Sequence, residues 1–254
     1  MKTIPILFST PMVQALQAGT KTQTRRIVKS GIIDTDPDSW AVEGYGPVPG
    51  DCGKQDDGRY SAYFKTGADC WGYVICPYGA PGDILWVRET YREYYWSDEN
   101  GYMDFDNTIL EYKADNPEDI CLVDGDGFRE LDKKGNERFV PWKPSIFMPK
   151  SACRLFLKIK SVRVERLQRI SEVDAIEEGL TKITKDGQTF KFGMPDSDGL
   201  PGTCNTGWAW SDWEVNPVDA YKTLWQSING PQSWETNPWV WVVEFEKCDK
   251  PENF

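Results

Sequence analysis

The stretch Arg154–Leu167, RLFLKIKSVRVERL, decides the reading of the fold. Leu155, Leu157 and Ile159 alternate with Phe156, Lys158 and Lys160, the two-residue period of a strand with one buried face. The phase slips at Ser161, after which Val162 and Val164 take the inner positions. One slipped residue in a long alternating run predicts a β-bulge or a strand break, common where a barrel turns a corner. Just downstream, Ser171 with Asp174 three residues on and Gly179 beyond predicts a helix over 172–178. Upstream, Gly82-Asp83 opens a strand over Ile84–Tyr91, and Ile4–Phe8 reads as a short apolar strand. Thr10-Pro11 is a helix cap followed by Pro at the first helical position, with Gly19 as the stop, so 11–18 is a short helix. TKTQTRRIVK at 20–29 is a basic loop entering a strand. Asn216-Pro217 to Asn229-Gly230 brackets a third helix, and Trp239–Glu246 closes the chain as a strand.

Between these blocks lie three segments rich in Gly, Asp and turn residues, about 30–81, 93–140 and 181–215. They read as insertions, the second with a strand at Thr108–Lys113 and a tight turn around Asp124–Gly127. That turn resembles a fragment of a calcium loop, but no Glu follows at the required spacing. Trp208, Trp210 and Trp213 serve to pack the third insertion onto the core. Short strands around a few short helices, without an internal repeat, predict an α+β fold built on a small β-barrel. The chain then forms one domain with core blocks at about 4–29, 82–92, 141–180 and 216–248.

The 254 residues contain no histidine. That excludes Ser-His-Asp and Cys-His nucleophilic systems, His-ligated zinc and any imidazole proton shuttle. Lys, Asp, Glu, Tyr, Cys or a hydroxyl must move the protons of any reaction here. The net charge is −11, which argues against non-specific DNA coating. Charge is unevenly placed: residues 1–30 carry +5 and residues 141–170 carry +7 within an acidic background. Such segregation favours a localised anionic ligand, the alternative being lysines solvated on an outer face. No apolar run reaches the roughly 18 residues of a membrane span, and the N-terminus is too short for a secretory leader. Seven cysteines, an odd number, read as reduced thiols in a cytoplasmic protein. Cys52, Cys70 and Cys76 are close enough to suggest a metal, but they form no CxxC pair and no His completes a mixed site; they read as buried thiols.

Residues 6–26 (ILFSTPMVQALQAGTKTQTRR), GDILWVRE at 82–89, ISEVDAIEEGL at 170–180 and the closing WVWVVEFE resemble the ASCH domain, a branch of the PUA-like barrels. The layout is similar to the long, Trp-rich ASCH proteins that phages and prophages carry, which would place the protein in a bacterial host cytoplasm. The GxKxxTxR spacing is realised by Gly19, Lys21, Thr24 and Arg26, and the resemblance covers about 110 residues in the right order. It implies a cleft that accepts RNA or a modified nucleoside. Some small ASCH proteins are amidohydrolases that remove the acetyl group of N4-acetylcytidine, and some are reported as ribonucleases. The amidohydrolase residues carry over to Lys21, Thr24 and, aligned along the helix, Glu178. The chain departs from the family in size, since its three insertions can cover or reshape the cleft.

The implied chemistry is workable without histidine. Thr24 supplies a hydroxyl nucleophile, and Lys21 accepts its proton as the neutral amine. Arg25, Arg26 and partial burial lower the lysine pKa toward neutrality. Glu178 orients Lys21 or carries the proton to the departing amine, and Arg26 holds the oxyanion. Arg25, Arg26, Trp86 and Glu89 complete the expected substrate site, with no cofactor and no metal. Glu89 falls on the face of Leu85 and Val87, where a carboxylate is either salt-bridged or part of the site. Trp86, Tyr91, Trp142 and Phe147 either stack on a base or belong to the core. Three functions stay open: an amidohydrolase of an acylated nucleoside, a non-catalytic reader of single-stranded RNA or a modified base, and a metal-independent ribonuclease.

Overall fold

The computed structural model describes residues 1–31, 33, 36–47, 59–68, 70–97, 103–116, 118, 120–122, 132–134, 136–196, 199–202 and 207–254. The chain runs β1 (Thr3–Leu7), α1 (Thr10–Gln17), β2 (Gln23–Ile27), β3 (Trp40–Pro47), β4 (Tyr60–Thr66), β5 (Trp71–Ile75), β6 (Ile84–Arg88), β7 (Tyr91–Ser97) and β8 (Met103–Tyr112). It continues with β9 (Phe156–Arg166), α2 (Glu172–Glu177), β10 (Thr181–Thr184), β11 (Phe190–Gly193), α3 (Pro217–Asn229) and β12 (Trp239–Cys248). The α+β class is as expected.

The principal sheet has the order β1-β6-β9-β12-β2. Its interior strand β12 is apolar and buried over residues 239–243, so both of its faces are covered there. Trp239, Trp241, Val243 and Phe245 point into one core with Phe8, Leu85, Val87, Leu157 and Ile159. Val240 and Val242 point into a second core with Tyr221 and Trp225 of α3, Ala175 of α2, and Phe192 and Met194 from the β10–β11 hairpin and the residue after it. The predicted slip is a bulge: Glu244 lies opposite Ser161 and Phe245 opposite Ile159, which leaves Lys160 as the extra residue. Leu157, Ile159, Val162 and Val164 are all buried as a result.

The caps follow the sequence. Ser171 accepts from the Asp174 amide at 3.1 Å, and Asn216 accepts from the Val218 amide at 2.7 Å. The α1 cap falls on Ser9 instead of Thr10. Gly19 and Gly179 terminate α1 and α2 with positive φ of 76° and 107°.

Four expectations need correction. The barrel does not close, because β1 and β2 remain the outer strands of the order. β1 ends at Leu7, just before the α1 cap, and a cavity occupies the space beside β2. The two edges are nevertheless joined: Arg26 Nη2 donates to the Leu7 carbonyl at 2.7 Å. Second, the 30–81 segment contains an antiparallel sheet β3-β4-β5. Third, the strand expected through Tyr91 stops at Arg88, and Tyr91 begins a separate hairpin with β8. Fourth, the strand expected from Thr108 begins at Met103. The turn at 124–127 lies outside the described residues. Among the described residues no helix is long and apolar enough to cross a membrane.

Candidate functional site

Lys21 is held by the ends of two helices. Its amide and that of Thr20 donate to the Ala15 carbonyl of α1, while the Thr22 amide donates to Glu177 of α2 at 2.9 Å. The residues Lys21 and Glu178 form an antiparallel bridge. Gly179 makes this approach possible: a Cβ there would lie 2.9 Å from the Ala15 Cβ and 3.2 Å from the Lys21 Cβ. The Lys21 ammonium donates to the Glu178 carbonyl at 2.8 Å and to Oε2 of the same residue at 2.9 Å. It also lies 5.6 Å from the Phe8 ring centroid. The lysine side chain is 0% exposed and that of Glu178 5%. Burial is the largest influence on Lys21 and pulls its pKa below the usual lysine value. Glu178 opposes that shift, and Arg26 and Arg25 reinforce it.

Glu178 has a second cation. Arg25 Nη1 donates to Oε1 at 3.2 Å, so each carboxylate oxygen has its own positive partner. Arg25 also meets Glu165 at 2.7 Å and Asp174 at 3.1 Å. Burial alone would lower the pKa of Arg25, but Glu178, Tyr221 and Glu165 raise it overall. The guanidinium is shared among three carboxylates, and Arg25 also lines the cavity beside β2. It fixes the position of Glu178.

The register of β2 against β12 separates the remaining groups. Thr24 lies opposite Val243 and Arg26 opposite Trp241, whereas Arg25 lies opposite Val242. Directly opposed residues share a face, so Thr24 and Arg26 are on the side of Phe8 and Arg25 is on the side of α3. The cavity of about 220 Å³ runs beside β2 and is lined by Thr24, Arg26 and Glu178, with Tyr78, Tyr221 and Trp225 as aromatic walls. Its volume is below the ~300–1,000 Å³ of drug-sized ligand sites, which suits one small planar group. Arg26 lies 5.7 Å from the Phe8 centroid and commits one of its five N–H donors to Leu7.

A second cavity of about 430 Å³ has Lys21 among its lining residues, with Thr22, Lys160, Glu177 and Glu244. The pair thus has Lys21 among the lining residues of one cavity and Glu178 among those of the other. Thr24 and Glu178 share one of them, and Lys21 reaches that cavity through its carboxylate partner.

No family model, curated protein or solved structure matches this chain.

Trp86 and Glu89 are elsewhere. Trp86 is buried with Phe156 and Phe254, 5.9 Å from the Phe254 centroid, so it is core and not a stacking surface. Burial raises the pKa of Glu89, and its salt bridge with Arg154, at 2.9 and 2.8 Å, opposes the rise. Of the two readings of Glu89 in the sequence, the ion pair is the one present. Tyr91 is likewise core, Trp142 is covered by Arg92 at 4.1 Å, and Phe147 is exposed. Cys70 is exposed and Cys76 buried, so the expectation of buried thiols holds for one of the two; Cys52 lies outside the described residues.

Tyr78, Tyr221 and Trp225 were not singled out from sequence. Tyr221 and Trp225 carried a usable signal, being four apart on one face of a capped helix. Tyr78, in a turn before β6, carried none.

Proposed function

We propose that the protein hydrolyses the amide of an acylated nucleoside, with a PUA-like, ASCH-type sheet as scaffold and Lys21, Glu178 and Thr24 as the reacting groups. The observation that carries this reading is the buried Lys21–Glu178 contact beside a cavity into which Thr24 faces. Thr24 Oγ1 forms a bond to the acyl carbon, and its proton passes to the Lys21–Glu178 pair. A neutral Lys21 amine retains two N–H groups for its two Glu178 acceptors and has a lone pair to spare. The tetrahedral oxyanion faces the uncommitted donors of Arg26. The C–N bond then breaks, the pair returns the proton to the departing amine, and water hydrolyses the acyl-threonine ester. Tyr78, Tyr221 and Trp225 offer planar surfaces for the base.

A second reading, a non-catalytic binder of a modified base or single-stranded RNA, is favoured by one feature. The Lys21 side chain is wholly shielded and doubly hydrogen-bonded, as in a structural strut. Incubation with N4-acetylcytidine and with single-stranded RNA, for the wild type and Lys21→Ala, separates the readings. Released cytidine that disappears in the variant supports hydrolysis. Binding without turnover supports the second reading, and shortened RNA supports a ribonuclease.

A further inference from the structure

The two basic segments of the sequence fold onto either side of β12. β2 and β9 are its neighbours, Ile27 lies opposite Val240, and Arg166 lies opposite Trp239. Both segments thus deliver their last residues to the same end of the sheet. Three of their arginines are already neutralised: Arg25 by three carboxylates, Arg154 by Glu89 and Asp115, and Arg163 by Glu165, Asp174 and Glu244. What remains at this end differs. Lys29 and Arg169 are exposed and, among the described residues, have no ion pair. Arg166 has one, to Asp38 at 2.8 Å, but that carboxylate is 87% exposed and the pair is correspondingly weak.

Between them is a second concavity of about 270 Å³, lined by Trp40, Trp239, Arg166, Arg169, Asp38 and neighbouring backbone. Trp239 is fixed: its indole N–H donates to the Pro37 carbonyl at 2.9 Å, and Arg166 lies 5.4 Å from its ring. Trp40 is half-buried and keeps part of its surface available. The cleft adjoins the Thr24 cavity. Lys29 lines that cavity, and the preceding residue, Val28, donates its amide to the Trp239 carbonyl at 2.9 Å. β9, β12 and β2 span about 10 Å across the sheet. An indole face, the unpaired guanidinium of Arg169 and the weakly paired one of Arg166, set beside a base-sized cavity, match the two contacts that single-stranded nucleic acids require: stacking and phosphate neutralisation.

We infer that the cleft of Trp40, Trp239, Arg166 and Arg169 receives the nucleotide next to the one seated beside Thr24, so that the ligand is a single-stranded nucleic acid and not a free nucleoside. This rests on the proposed nucleoside site and deepens it. Lys29 and Arg169 contact phosphates, Arg166 joins them by exchanging Asp38 for phosphate, and Trp40 stacks on the flanking base.

The test is fluorescence anisotropy of labelled ten-residue oligocytidylates, one RNA and one DNA, alongside equilibrium dialysis of cytidine. The 254-residue chain is used as wild type, Arg169→Glu, Arg166→Gln/Arg169→Gln and Asp38→Asn. Wild type should bind at least one strand tenfold or more tightly than cytidine. Arg169→Glu, at an exposed position, should weaken strand binding about tenfold with cytidine binding and thermal unfolding unchanged. The double variant should flatten the slope of log affinity against log salt by about 1.4, for two lost single-strand phosphate contacts at ~0.7 each. Asp38→Asn should tighten the strand. The better-bound strand identifies the sugar. If cytidine binds and neither strand binds more tightly, or if Arg169→Glu and the double variant leave strand affinity unchanged, the inference is overturned while the nucleoside site stands. If a strand binds through Arg166 and Arg169 but cytidine does not bind, the cleft stands and the nucleoside site falls. Absence of all binding overturns both.

Discussion

The Lys21 ammonium reaches the end of α2 twice, at the Glu178 carbonyl and at the Glu178 carboxylate, 2.8 and 2.9 Å away. This contact joins two parts of the chain that are 157 residues apart. Lys21 lines one cavity and Glu178 the other, so any change to the contact should register in stability and in chemistry together.

Lys21→Met leaves Glu178 buried with only Arg25 beside it. Removing one partner of a buried pair is costly, and here the loss should be about 3 kcal/mol, the low end for such sites because Arg25 remains. Lys21→Met/Glu178→Leu should recover part of it. Chemical denaturation of the four species in a double-mutant cycle measures the coupling. Additive losses would show that the two residues do not interact.

The pH dependence has a definite sign. In the folded protein Lys21 loses its proton below the usual 10.5, chiefly through burial. Between that lowered value and 10.5 the unfolded chain carries a proton that the folded chain lacks. The Lys21 contribution to unfolding free energy therefore rises with pH across that window and is lost as pH falls through the folded pKa. Turnover should rise over the lower part of the same range. Arg26→Gln removes a cation that depresses the lysine and should move the rising limb to higher pH. Glu178→Gln removes the charge that raises it and should move the limb of the residual activity to lower pH. Initial rates across pH 6–11, an interval chosen around the ordinary Lys value of about 10.4, decide the matter. Equal limbs in all three proteins would exclude Lys21 as the titrating group.

Gly179→Ala places a Cβ at a φ of 107° and against Ala15 and Lys21. A destabilisation of about 1–3 kcal/mol is expected from the backbone alone. Because the clash pushes on Lys21, nucleoside affinity should fall with stability. A melting temperature equal to that of the wild type would refute the close approach.

The thiols should separate cleanly under alkylation. Cys70 is exposed, while burial pushes the Cys76 thiol up to about 12, so of these two Cys70 should label rapidly at neutral pH and Cys76 slowly. Peptide mapping after a brief iodoacetamide pulse shows which cysteine reacts.

The legible parts of the fold were those with local chemistry. The slip at Ser161 appeared as a bulge because alternation is read residue by residue, and Ser171 and Asn216 cap helices through contacts within three residues. β3 was illegible for an equally local reason. Its burial does alternate, but two of the inward positions are Gly44 and Gly46, which lie beside Tyr63. With no apolar residue there, the period of two has no hydrophobic signal.

The site was legible only in part. Lys21, Thr24 and Glu178 entered through the family resemblance alone, and the structure places Lys21 against Glu178. The second partner of Glu178 was hidden, since nothing in TQTRR distinguishes the Arg that turns toward α3 from the one that turns toward Phe8. That distinction depends on the register with β12, a long-range property. Trp86 and Glu89 were misplaced as site residues for a similar reason. Their partners, Phe254 and Arg154, lie far away in sequence.

The most direct test is a crystal structure of Thr24→Ala, which lacks the nucleophile, soaked with N4-acetylcytidine. The ligand should lie in the cavity beside β2, its base against Tyr78, Tyr221 or Trp225, its acyl oxygen toward Arg26, and its acyl carbon facing position 24. A ligand bound elsewhere, or seated there with its acetyl group turned away from position 24 and Glu178, would contradict the account.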